Sequence, residues 1–173
     1  LSTAATLQSA ALMFLDQGIP LAYGGLIFNW VPRLREHLPA HFLGDTLDEA
    51  IHEIEQLVAS PRPISTAMRA GDISQDLVRL YREKRPLIEI ELLGNMQANN
   101  LFAEHIGEAN TFFGNGVSAA LKLGDPAFLE AYLEWVKRLL TGHQIPEERL
   151  LSYMAAYHRS VHKVMGDAGA SIT

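Results

Sequence analysis

Residues 124–142 read GDPAFLEAYLEWVKRLLTG, and residues 146–166 read PEERLLSYMAAYHRSVHKVMG. Gly124-Asp125-Pro126 supplies, in order, a helix stop, an N-cap and a proline at the first helical position. Phe128, Leu129, Tyr132, Leu133, Val136, Leu139 and Leu140 then fall on one broad face at helical spacing, and Thr141-Gly142 closes the segment. Pro146, Glu147 and Glu148 open a second helix, with the acids at the positive end of its dipole. Leu150, Leu151, Met154, Tyr157, Val161 and Val164 line its apolar side until Gly166 stops it. Two such helices joined by a short turn must pack antiparallel, so the chain is read as all-α.

Upstream, the same punctuation recurs. Ser2 to Gln17 sets Leu7, Ala10, Ala11, Phe14 and Leu15 on one stripe before Gly18 and Pro20. Tyr23 to Leu38 reads as helical for much of its length, interrupted at Pro32. Thr46 and Glu49 make a capping box ahead of Leu47, Ile51, Ile54, Leu57 and Val58. Residues 60–63, Ser-Pro-Arg-Pro, form a breaker and the best place for a hinge. Asp72 to Lys84 predicts a further helix with Ile73, Leu77, Val78, Leu80 and Tyr81 inward. From Pro86 a long helix-compatible run reaches Leu123, with a kink or break predicted at Gly114-Asn115-Gly116. Gly169 to Thr173 reads as a frayed tail. The expectation is a single domain over 1–173, a compact bundle of six or seven helices. A globin-like arrangement is the variant that would give the same helix count.

Composition narrows the function classes. Hydrophobic residues make up 48% and charged ones 20%, enough apolar surface for one core and against wholesale disorder. With no cysteine, thiolate metal sites, a thiol nucleophile and thioether-linked chromophores drop out. Fourteen Lys+Arg against 20 Asp+Glu give a net charge of −6, which argues against a general nucleic-acid surface. The basic cluster Arg79, Arg82, Lys84 and Arg85 is interrupted by Glu83 and reads as a solvated helix end. Ile19 to Val31 is too short and interrupted to span a membrane. The chain opens on Leu1 without a basic leader, as an excised or processed cytoplasmic piece would.

Histidines and carboxylates are the first candidates for chemistry. His158 and His162 are four apart in the last helix, a spacing that suits a metal or a haem ligand with a neighbour. It also suits an ordinary exposed helix face. Glu49-x-x-His52 is the unit that di-iron bundles use twice, and only one copy is present. Glu104, His105 and Glu108 lie on another helical run, so Glu49, His52, Glu104 and Glu108 form a hypothetical metal set. No phosphate-cradling glycine loop and no nucleophile elbow occurs. The aromatic cluster Phe102, Phe112, Phe113, Phe128, Tyr132, Trp135, Tyr153 and Tyr157 is either plain core or the wall of an apolar pocket for a flat ligand. In the second reading Trp135, Tyr132, His158 and His162 contact that ligand. His105 and His158 are the histidines that a globin-like pocket would use.

Gly124 to Val136, Leu139-Leu140 and Ile145 to Leu151 together resemble the small helical bundle that precedes the cobalamin-binding domain in some bacterial sensors and methyltransferase-like proteins. Light sensors of that kind place a Trp upstream of a Glu-His pair that covers the cofactor. Here Ile145 stands at that distance from Trp135, and Glu147-Glu148 carries no His. The Asp-x-His-x-x-Gly cobalt-ligating loop is absent. The resemblance therefore implies a sensory or regulatory module without its own cobalamin-binding half. It implies a non-covalent tetrapyrrole-class ligand (haem, cobalamin or bilin) and coupling to a homodimer mate or partner domain, rather than catalysis. A carboxylate-histidine metal enzyme and a ligand-free interaction module are the alternatives.

Overall fold

The computed structural model describes residues 1–64, 75–98, 106–142 and 146–172; within these, the side chains at 97, 98, 106, 108, 131, 135, 139, 140 and 171 are outside the description. The described residues are mostly helical, with six helices of seven or more residues and one two-stranded sheet. No helix among them is long and apolar enough to cross a membrane. The chain divides into two compact units, Thr3–Gly71 and Asp72–Thr173 with Leu1–Ser2.

The smaller unit opens with α1 (Ser2–Asp16), which ends as Gly18 turns at φ 71°. Its buried residues are Ala4, Ala5, Gln8 and Ala11, so the burial is rotated from the Leu7–Phe14 stripe the sequence suggests. Gln8 explains part of the rotation, because its amide donates to the His37 carbonyl at 2.9 Å. The Tyr23–Leu38 region is not one broken helix. Strand β1 (Ala22–Tyr23) precedes α2 (Leu26–Trp30) and a 3-10 helix (Pro32–His37), and β1 pairs in parallel with β2 (His41–Phe42). Pairs this short leave no alternating pattern to read. Tyr23, Phe28, Leu34, Leu38 and Pro39 are buried. Arg35 ties the unit: Nε donates to the Phe28 carbonyl at 3.0 Å, the guanidinium lies 3.9 Å over the Phe42 ring, and it pairs with Asp45.

Helix α3 (Leu47–Ala59) begins where the sequence predicts, with both halves of the capping box formed. Thr46 Oγ1 accepts from the Glu49 amide at 3.2 Å, and Glu49 Oε2 accepts from the Asp45 and Thr46 amides at 2.6 and 3.2 Å. Gly44, at φ 100°, makes room for this carboxylate, since a Cβ there would sit 2.6 Å from that of Glu49. No residue of α3 is buried, so the cap carries much of the helix's local stability. Thr46→Ala is expected to cost about 1 kcal/mol, measured as faster amide exchange along α3 with the rest of the chain unchanged.

The larger unit contains α4 (Gln75–Ala98), α5 (Ile106–Leu123), α6 (Phe128–Gly142), α7 (Glu147–Met165) and a 3-10 turn (Gly166–Ser171). α4 runs straight through Pro86 instead of restarting there. Val78, Tyr81, Ile88, Leu92 and Met96 share one buried face on both sides of the proline, whose ring is exposed. Burying such side chains is worth roughly 1.5–3 kcal/mol each, which together outweighs the ~3 kcal/mol cost of an interior proline. α5 is likewise unbroken at Gly114-Asn115-Gly116. Those glycines serve close approach: a Cβ at 114 would meet Arg85 Nε at 2.7 Å, and one at 116 would meet the Tyr132 ring at 3.0 Å. Arg85 is correspondingly no solvated helix end, for it bridges Glu89 at 2.7 Å and the Asn115 side chain at 2.8 Å.

α4 packs chiefly on α7, where Asn95 donates to Ser160 Oγ at 3.2 Å and Lys163 pairs with Glu91 at 2.7 Å. The tail is not frayed at residue 172: Ile172 is buried in the same hydrophobic cluster as Phe113, Tyr157 and Val161.

Candidate functional site

α5, α6 and α7 leave a half-open cleft of about 550 Å³ within the larger unit. The helix pair that decides the fold also builds its walls. Phe113 and Val117 come from α5, Leu129, Glu130 and Leu133 from α6, and Met154, Ala155, Tyr157 and His158 from α7. Pro126 and Ala127 close one end from the α5–α6 turn, which Asp125 holds by accepting the Ala127 amide at 3.0 Å. Ile172 contributes from beyond the last turn of α7. Glu130 and His158, both exposed, are the ionisable groups among the described lining apart from the Tyr157 phenol; no Lys or Arg is among them. The size lies in the range of small-molecule sites, and the lining has their mix of apolar walls with few polar groups.

The inner wall is an aromatic assembly. Phe113 meets Tyr157 edge-on at 4.7 Å and Tyr153 edge-on at 5.7 Å. Beneath them the Tyr157 and Tyr81 hydroxyls lie 2.5 Å apart, and Tyr81 in turn donates to the Gly114 carbonyl at 3.5 Å. Tyr153 donates to Asn110 Oδ1 at 2.9 Å. Burial, the largest cause in each case, pushes the Tyr81, Tyr153 and Tyr157 phenols above their ordinary range. These hydroxyls are therefore neutral donors that lock the wall in place.

Of the residues the sequence nominates for ligand contact, His158 lines the cleft and His162, one turn on and exposed, is not among the lining residues. Tyr132 supports the site from behind: its ring packs at 5.4 Å from Phe112, and its hydroxyl donates to the Phe112 carbonyl at 3.1 Å. Trp135 lies in α6 with its side chain outside the described residues, and His105 lies outside them altogether. Sequence reasoning misses Glu130 and Ile172. A lone large aliphatic in a Gly/Ala tail is the signal that could have found Ile172.

The hypothetical metal set is placed only in part. Glu49 is spent on the α3 cap, and His52 Nε2 lies 2.7 Å from the Gln56 amide on the exposed side of α3. Glu104 lies outside the described residues and the Glu108 side chain outside the description. Among the described residues no three His, Asp or Glu side chains are grouped to hold a metal. No family model matches the chain, and no curated protein matches it either.

Proposed function

We propose that the chain is a helical sensory or regulatory domain whose α5–α6–α7 cleft takes a flat, largely apolar ligand. One observation carries the reading: a built apolar cleft whose mouth bears Glu130 and His158. The walls suit the apolar faces of a tetrapyrrole, and His158 is the imidazole placed to meet it at the rim. With no cation in the described lining, the carboxylates of a haem or bilin would have to point to solvent. In the globin-like variant His158 would be the axial ligand; its exposed position favours a polar rim contact instead. Such a domain would pass the ligand signal to a homodimer mate or a partner domain.

The test is a visible-absorption titration of the chain with haem, cobalamin and biliverdin, paired with thermal unfolding. One of them is expected to give a saturable shifted band. A ligand at a hundred times its Kd should add about 2.7 kcal/mol of stability, a rise of roughly 10–20 °C in Tm for a unit of this size. Ala155→Trp, which fills the cleft from an exposed lining position, should abolish both effects. Flat spectra and unchanged melting with all three would discard the tetrapyrrole class. Cleft-dependent uptake of a neutral dye such as Nile red would then retain the apolar-ligand reading.

A further inference from the structure

A second surface, in the smaller unit and independent of the cleft, is built for contact. Leu47, Ile51, Ile54 and Val58 form a single stripe along α3 and are 78%, 52%, 46% and 78% exposed. This spacing of four, three and four residues is that of one helix face. The helix needs no cover to form at its start, because the Thr46–Glu49 box holds its first turn.

Charge identifies what can cover it. α3 carries Asp48, Glu49, Glu53 and Glu55, and no Lys or Arg. Glu49 is occupied by the cap and Glu53 pairs with Arg62. At 100° per residue, Asp48 and Glu55 fall together along one edge of the apolar stripe. A second copy of α3 docked antiparallel would set this acidic edge against itself. Docked parallel, it would set the edge against the opposite side of the stripe, where Ala50 and Leu57 offer no cation to meet it. Like charges oppose the antiparallel arrangement and the parallel one leaves Asp48 and Glu55 without a cation, whereas cations opposite them would favour association and fix its register. We infer that the outer face of α3 docks an amphipathic helix of a partner protein, apolar on its contact face and lysine- or arginine-rich beside it. This is helix-on-helix recognition read through anchors one turn apart.

The probe is a fluorescent synthetic helix with a leucine stripe flanked by lysines, titrated against the full chain and compared with a glutamate-flanked version. The lysine helix is expected to bind saturably and the glutamate helix not. Ile51→Asn with Ile54→Asn should weaken the lysine helix roughly tenfold or more. Asp48→Lys with Glu55→Lys should reverse the preference, a gain that no unfolded variant can mimic. Three results would overturn the inference: equal binding of both helices, binding unaffected by either double substitution, and no binding at all. Light scattering supplies a fourth, a wild-type dimer that Ile51→Asn with Ile54→Asn turns into monomer, which would give the face to a second copy.

Discussion

The Asp72–Thr173 unit is expected to unfold between about pH 11 and 12, with its tyrosines ionising in the same transition. All five tyrosines of the chain sit above the ordinary phenol value of 10, Tyr23 at about 12, chiefly because burial penalises the phenolate. The folded state therefore keeps protons that the unfolded chain releases above pH 10. Stability from these groups is complete below pH 10 and falls as pH rises toward the folded-state values. Each of the two most strongly shifted phenols, Tyr153 and Tyr157, removes about 1.4 kcal/mol per pH unit in that window, about 3 together, and Tyr81 adds in the same direction. Two pH units then remove about 6 kcal/mol, enough to unfold a unit at the lower end of the typical range of about 5–15 kcal/mol. Tyrosinate absorbance and helical circular dichroism should move together. Gradual ionisation near pH 10 with helicity intact would contradict the buried hydroxyl arrangement.

Phe113→Ala should be the costliest single truncation at the cleft, destabilising the larger unit by about 3–5 kcal/mol. Phe113 is 6% exposed and stands edge-on to both Tyr153 and Tyr157, contacts worth about 0.5–1.5 kcal/mol each beyond simple burial. Its neighbour Phe112 is 49% exposed, and Phe112→Ala should cost only about 1 kcal/mol. Urea midpoints of the two variants decide the matter. Equal losses would mean that Phe113 is not the keystone of the aromatic wall.

Local chemistry was legible in the sequence wherever a residue acts on its near neighbours. The Thr46–Glu49 box, the helix pair after Gly124 and the stop at Gly166 all work within a turn of backbone. What escaped depends on distant partners. Pro86 reads as a boundary until the buried positions on its two sides prove to be in phase, and Gly114-Asn115-Gly116 reads as a break until Arg85 and Tyr132 occupy the space. The β1–β2 pair joins residues nineteen apart through two positions each, too few to carry a pattern. Of the cleft, His158 was legible because it stands four residues from His162 on one helix. Ile172 was not, since only the fold returns it to Phe113 and Tyr157.

The two phenols beneath the cleft, alike in chemistry, are not interchangeable. Tyr81 meets the Tyr157 hydroxyl at 2.5 Å and also reaches the Gly114 carbonyl at 3.5 Å, so it links α7 to α5 through α4. Losing the Tyr157 hydroxyl leaves Tyr81 still donating, with only an acceptor site idle. Losing the Tyr81 hydroxyl strands the Tyr157 hydroxyl in an apolar interior, while the Gly114 carbonyl keeps the Ser118 hydroxyl at 2.8 Å. The hydroxyl that matters more thus comes from α4, a helix that supplies no lining residue and meets the lining at Tyr157.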